Sequence, residues 1–202
     1  MAVTQPMTGP DERWLVSAEE RLARIHALVR AVPDFPKPGI LFRDITTVLR
    51  DPVAWRATVD HACEAVEGWD FDIVVGIESR GFILGAALAY QLGVGFVPVR
   101  KPGKLPGAVH SVDYALEYGL DSLEIHQDAL TPADRVVIVD DVLATGGTAA
   151  ASVELVRQTG ADVISLAVIM DLTFLPGRSV MEGLGVHVHA LLDDEGNPCP
   201  HP

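Results

Sequence analysis

The run Val136-Val137-Ile138-Val139-Asp140-Asp141-Val142-Leu143-Ala144-Thr145-Gly146-Gly147-Thr148 decides how this chain is read. Four β-branched residues in succession make a strand buried on both faces, the kind found inside parallel sheets. The strand delivers two adjacent carboxylates, then a loop of small residues, then the start of a helix that Gly160 ends. Two glycines let the backbone N–H groups of Ala144, Thr145, Gly146, Gly147 and Thr148 converge on an anion. The two threonines add hydroxyl donors, and the helix dipole favours negative charge there. The GxxxxGK[ST] pattern is absent, so the loop suits a terminal monoester phosphate better than the β/γ pair of a nucleotide. Carboxylates bind hydroxyls rather than phosphates, so Asp140 and Asp141 face the next part of the ligand. A sugar phosphate satisfies both halves of the motif.

Outward from this run, strands and helices alternate. Strands are expected at Ile73–Ile77, Phe96–Val99, Val163–Met170 and Val186–Leu192, with Pro98 marking an edge or a strand end. Helices are expected at Phe82–Leu92 and Thr148–Thr159. Asp51-Pro52 reads as a cap followed by a first-turn proline, opening a helix that reaches about Glu67. Apolar spacing predicts a further helix over Asp11–Val32, closed by Pro33, and a loop through Pro33–Gly39. Lys101 to Gln127 reads as neither helix nor buried strand. The pattern is that of an α/β fold, a mainly parallel twisted sheet flanked by helices. In such sheets ligands bind at the carboxyl ends of strands, here Glu78–Gly81, Arg100–Lys104 and Asp140–Thr148.

The composition is that of an ordinary globular protein: 202 residues, 49% hydrophobic and 21% charged. Fifteen basic residues against 28 acidic ones give a net charge of −13. A chain so acidic is repelled by nucleic acid and anionic membranes, so neither is an expected partner. An anionic ligand must be met by local positive groups. The only lysines are Lys37, Lys101 and Lys104, and two of them flank Pro102 beside Arg100. Cys63 and Cys199 form no disulfide framework and no metal spacing, which points to a reducing setting. The N-terminus lacks the basic start and apolar run of a secretory signal, and Gly81–Val99 is too interrupted to span a membrane. The expected location is the cytoplasm. His187-Val188-His189 has metal-like spacing but no third ligand nearby, and reads as ordinary strand histidines. Gly93-Val94-Gly95 is not a dinucleotide fingerprint, because Pro98 takes the third glycine's place.

Val136–Ala149 resembles the donor signature of the type I phosphoribosyltransferases. Further segments extend the resemblance to the branch of that family that acts on adenine. Phe35–Thr46 resembles its base-recognition segment, and Gly76–Phe82 its pyrophosphate loop. Arg100–Gly107 and Tyr114–Gly119 resemble the two halves of its mobile active-site loop. The resemblance runs from about Ala23 to Leu192. It implies one domain over 11–192, with a small hood at about 11–50 and a mobile loop at about 101–120. Residues 1–10 and 193–202 are then terminal tails.

The implied reaction joins adenine to 5-phosphoribosyl 1-pyrophosphate, giving AMP and pyrophosphate, with Mg2+ held mainly through the substrate, near Asp140 and Asp141. The resemblance places the 5′-phosphate on Ala144–Thr148 and the ribose hydroxyls on Asp140 and Asp141. It places pyrophosphate on Ser79 and Arg80, with Arg100, Lys101 and Lys104 closing over it. Adenine stacks near Phe42 and is read by backbone groups around Leu41 and Arg43. Glu117 is the implied acid/base at the purine N7, Tyr118 helps close the site, and the working unit is a homodimer. From the residues alone, Glu117 between the two tyrosines Tyr114 and Tyr118 reads as an exposed strand residue. Two rivals share the donor signature: a transferase for xanthine, hypoxanthine or orotate, and a regulator that binds the donor without turnover.

Overall fold

A computed structural model describes residues 17–116 and 119–199. The chain divides into two units, the first ending at Thr58 and the second beginning at Val59.

In the first unit, α1 (Ala18–Leu28) starts at a capping box. Ser17 Oγ accepts from the Glu20 N–H at 3.1 Å, and the Glu20 carboxylate accepts from the Ser17 N–H at 2.8 Å. The predicted helix through Val32 is corrected here. The backbone turns extended at Val29, and β1 (Arg30–Pro33) pairs antiparallel with β2 (Leu41–Asp44). Apolar spacing continued past Leu28, but hairpin pairing across the Asp34–Gly39 turn won over helix continuation. The turn is closed by Gly39 N–H donating to Asp34 at 2.7 Å. Asp44 accepts from Arg30, and from the Thr46 N–H at 2.9 Å at the start of α2 (Thr46–Arg50). The Arg30 guanidinium is the first cause that holds the Asp44 carboxyl down to about 2. Asp51 caps α3 (Pro52–Ala65) as expected, accepting from the N–H groups of Val53 and Ala54 at 3.1 and 2.9 Å. It also accepts from Arg24 Nε at 3.0 Å.

The second unit is built on a five-stranded sheet in the order β4-β3-β7-β8-β9, every neighbouring pair parallel. The strands are β3 (Ile73–Ile77), β4 (Gly95–Val99), β7 (Arg135–Leu143), β8 (Asp162–Asp171) and β9 (His187–Asp193). Pro98 lies on β4, an edge strand, where its missing N–H costs no ladder bond. The crossovers run through α4 (Gly81–Leu92), α5 (Gly147–Gln158) and α6 (Gly177–Gly183). Val74, Val75, Val136–Val139 and Leu166–Met170 are all essentially inaccessible, as continuous apolar runs in a covered parallel sheet require. Strand order reverses between β3 and β7, and loops leaving the carboxyl ends of such a pair form a natural ligand crevice.

The reading of Lys101–Gln127 as free of buried strand is also corrected. β5 (Val109–Leu116) and β6 (Gly119–His126) form an antiparallel hairpin. Its alternate residues Val112, Tyr114, Leu123 and Ile125 are buried, the last two completely. A period of two is present, but each arm carries too few apolar residues to stand out beside Ser111, Asp113, Ser122 and Glu124. The acidic run after β9 is an organised turn, with Asp193 accepting from the N–H groups of Glu195 and Asn197 at 2.9 and 2.8 Å. Among the described residues no helix is long and apolar enough to cross a membrane.

Candidate active site at the sheet switch point

The phosphate-type loop follows β7 as expected, but the strand reaches Leu143, so both aspartates stand on the strand itself. Gly146 is the N-cap of α5 with φ +86°, a conformation that favours glycine. No side chain caps α5, which leaves its first N–H groups to point into the loop. Thr145 and Thr148 are half-buried beside them. The loop is held from behind by α6. Gly177 N–H donates to the Ala144 carbonyl at 3.0 Å, and a Cβ at Gly177 would lie 2.3 Å from that oxygen. Arg178 in turn bonds the buried Asp171 carboxylate at 2.7 Å and the Val188 carbonyl at 3.1 Å, anchoring α6 on β8 and β9.

The second loop, Glu78-Ser79-Arg80-Gly81, leaves β3 beside it. A Cβ on Gly81 would lie 2.6 Å from the Val139 carbonyl and 3.0 Å from Asp140 Oδ1, so only glycine lets α4 start against β7. Arg80 Nε donates to Asp141, whose side chain is 5% exposed. Asp140 accepts from the Asp141 N–H at 2.9 Å. Burial, then the adjacent Asp141 carboxylate, push the Asp140 carboxyl well above the ordinary range. The two aspartates thus differ in partners: Asp141 is bonded by Arg80, and Asp140 by the Asp141 N–H. Ser79 is exposed at the mouth of the loop.

The basic loop after β4 joins the second loop through Glu78. The Glu78 carboxylate accepts from Arg100 Nε and a terminal nitrogen at 3.2 and 3.3 Å, and from the Lys101 N–H at 2.9 Å. Burial alone would raise the Glu78 carboxyl, but the Lys101 N–H and the Arg100 guanidinium outweigh it and hold it below its ordinary value. The Arg100 guanidinium also lies 5.8 Å from the Phe82 ring centre. Lys101 donates its ammonium to Asp121 and, at 2.7 Å, to the Tyr114 hydroxyl. Lys104 is exposed.

Leu41, Phe42 and Arg43 lie on β2 of the first unit, where the Phe42 ring meets Phe35 edge-on at 5.1 Å. Glu117 and Tyr118 lie outside the described residues. Among the described residues no cluster of three or more His, Cys, Asp or Glu could hold a metal ion. A groove of about 480 Å³ runs between α5 and the β5–β6 hairpin, lined by Val112, Tyr114, Ala150, Ala151, Val153 and Leu184. Its wall is mostly apolar, with Asp113, Glu154, Arg157 and Gln158 among its lining residues. The missed contributors Gly177 and Arg178 carry no motif and only their packing identifies them; Glu78 lies inside the Gly76–Phe82 segment, but its hold on the basic loop shows only in its contacts.

Fold and loops together define an α/β protein with two glycine-containing loops at the switch point of a parallel sheet. Residues 60–173 match the family model described as phosphoribosyl transferase domain. The adenine phosphoribosyltransferase of a Synechococcus strain is 60% identical over 154 residues, which are 76% of this chain and 90% of that protein. The crystal structure of the Thermoanaerobacter pseudethanolicus adenine phosphoribosyltransferase superposes with a TM-score of 0.82 at 52% identity, covering 85% of this chain and 99% of that one. The Saccharomyces cerevisiae adenine phosphoribosyltransferase, complexed with adenine and an imino-altritol bisphosphate, gives a TM-score of 0.79 at 43% identity, over 86% of this chain and 99% of that one. The chain belongs to the phosphoribosyltransferase family, in its adenine phosphoribosyltransferase branch.

Proposed function

We propose that this chain transfers the 5-phosphoribosyl group from 5-phosphoribosyl 1-pyrophosphate to adenine, giving AMP and pyrophosphate in purine salvage. The observation that carries the reading is the packing of Gly81 on Val139 and Asp140, which sets the Glu78–Gly81 loop beside the strand that leads into Ala144–Thr148, across the β3/β7 switch point. In this reading the 5′-phosphate rests on the N–H groups and hydroxyls of Ala144–Thr148. Asp140 binds the ribose hydroxyls, and Asp141 positions Arg80 for the pyrophosphate. Ser79, Arg80, Arg100 and Lys104 receive the pyrophosphate. Leu41, Phe42 and Arg43 receive the base.

The bond from ribose C1 to the diphosphate oxygen breaks, the purine N9 forms the new bond, and one proton leaves the purine. Positive charge grows on the ribose while negative charge grows on the leaving oxygen, so positioning and guanidinium groups account for most of what the protein contributes. Glu117 is assigned as the acid/base at N7 and Tyr118 as a closing residue. A Mg2+ ion would be held mainly through the donor, near Asp140 and Asp141, of which Asp141 is engaged by Arg80. When bound, Mg2+ offsets charge on the diphosphate. The same reading makes the protein a homodimer and places it in the cytoplasm. An apolar face on α4, with Ile83 44% and Tyr90 88% exposed, supports self-association.

The test is product formation from the donor and Mg2+ with adenine, hypoxanthine, guanine, xanthine and orotate in parallel, with Glu117→Ala alongside. AMP from adenine alone is expected, with the variant slowed by about 100-fold, the usual weight of one acid/base group. Turnover of another base instead would overturn the reading of Leu41–Arg43. Donor binding without turnover would favour a regulator.

A further inference from the structure

The basic loop is stitched to the β5–β6 hairpin at three places. Arg100 and Glu124 exchange backbone hydrogen bonds at 2.9 and 2.7 Å, and Gly103 N–H donates to the Glu124 carboxylate at 3.0 Å. The third stitch is made by side chains alone. The Lys101 ammonium donates to Asp121 and to the Tyr114 hydroxyl, and that hydroxyl lies 3.2 Å from the same Asp121 oxygen. Tyr114 and Asp121 face each other across the hairpin as a register pair. Lys101 therefore grips both arms at once. Its nitrogen lies 5.3 Å from the Tyr114 ring centre, which is where an in-plane contact through the hydroxyl leaves it. The contact is a hydrogen bond at the ring's rim and not a cation over its face. Burial alone would lower the Lys101 ammonium's affinity for its proton, but Asp121 and Tyr114 reverse this and raise it, so the charge is kept.

We propose that Lys101 is a positioning residue: with Tyr114 and Asp121 it forms a latch that fixes the β5–β6 hairpin to the basic loop, instead of binding the donor's diphosphate. The proposal rests on the transferase reading for its effect on turnover. The hairpin runs beside α5, and Tyr114 shares a groove with Gly147, the first residue of α5 and part of the phosphate loop. A hairpin released from the basic loop changes the wall of the donor site without removing any phosphate donor from it. A compact ammonium has three donors, and two are already spent inside the protein.

Lys101→Met, Asp121→Asn and the double variant are compared in the intact chain. Three quantities are measured: amide hydrogen exchange over 109–116 and 119–126, calorimetric binding of inorganic pyrophosphate, and kcat with donor KM. The latch predicts hairpin exchange about tenfold faster in both single variants, with the double no faster than the faster single. It predicts pyrophosphate affinity and donor KM within about twofold of the parent, and kcat lowered by about tenfold, the scale expected for a slightly misplaced wall. Lys101→Arg, which keeps both contacts, restores slow exchange. Weakened pyrophosphate binding in Lys101→Met with hairpin exchange unchanged would make Lys101 a phosphate ligand and overturn the proposal, as would losses that multiply in the double variant. Exchange is read without turnover, so an inactive parent would refute the transferase reading while the latch is still judged by exchange.

Discussion

Gly177→Ala is expected to lose at least about 100-fold in kcat/KM for the donor while the protein stays folded, although position 177 touches no ligand in this account. The physical reason is a backbone contact that no side chain can share. The added Cβ would lie 2.3 Å from the Ala144 carbonyl and 2.8 Å from Leu143 Cγ. The carbonyl is backbone and cannot swing away as a side-chain tip would. Either α6 retreats, breaking the 3.0 Å bond from Gly177 N–H to Ala144, or the loop moves. Retreat is opposed by the Arg178–Asp171 pair, in which Asp171 is 1% exposed. The loop therefore yields, and its converging N–H groups lose their aim. Overpacking of this kind costs about 1–3 kcal/mol in stability. Thermal unfolding and steady-state kinetics on the same preparation check both halves. Unchanged kinetics would show that α6 does not support the phosphate loop.

Arg80→Met carries the second large effect, this time on stability as well as turnover. It strips the cation from Asp141, whose side chain is 5% exposed and adjacent to Asp140. Removing one partner of a buried pair leaves an uncompensated charge. Arg80 keeps 35% of its side chain in solvent, so a loss of about 2–4 kcal/mol is expected, below the largest values for fully buried pairs. The pH dependence has a definite sign. Asp140 already has a carboxyl raised above its ordinary value, and loss of Arg80 removes one of the influences that lower it. A raised carboxyl binds more protons in the folded than in the unfolded chain. Its stabilising contribution is therefore full at acid pH and is lost as pH rises. Arg80→Met should accordingly show its deficit most strongly at alkaline pH and recover part of it toward the ordinary carboxylate range. Adding Asp141→Asn to Arg80→Met should restore stability but not turnover. Urea unfolding across pH is the check; a deficit independent of pH would sink the charge argument.

The parallel sheet was legible because Ile73–Ile77, Val136–Val139 and Val163–Met170 are apolar without interruption, and only burial on both faces explains such runs. The strand–loop–helix passage at Ala144–Thr148 was legible because two glycines between a buried strand and a helical run mark the turn from one to the other. Other features were hidden for physical reasons. Val29 and Val32 keep helical spacing with Leu28, yet the chain leaves the helix at Val29; the partner that draws it away lies beyond the turn, at Leu41–Asp44. The β5–β6 hairpin alternates correctly, but each arm carries few apolar residues among polar ones. Glu78, Asp121 and Gly177 are ordinary residues whose roles exist only through contacts made across 22, 20 and 33 positions of chain. Periodicity does not encode such distances.

The most direct test of the donor site is a crystal structure with AMP and pyrophosphate bound. The account predicts the 5′-phosphate at about 3 Å from the N–H groups of Thr145–Thr148, the ribose hydroxyls on Asp140, and pyrophosphate between Ser79, Arg80 and Arg100. A phosphate seated away from Ala144–Thr148, for instance in the groove between α5 and the β5–β6 hairpin, would contradict it.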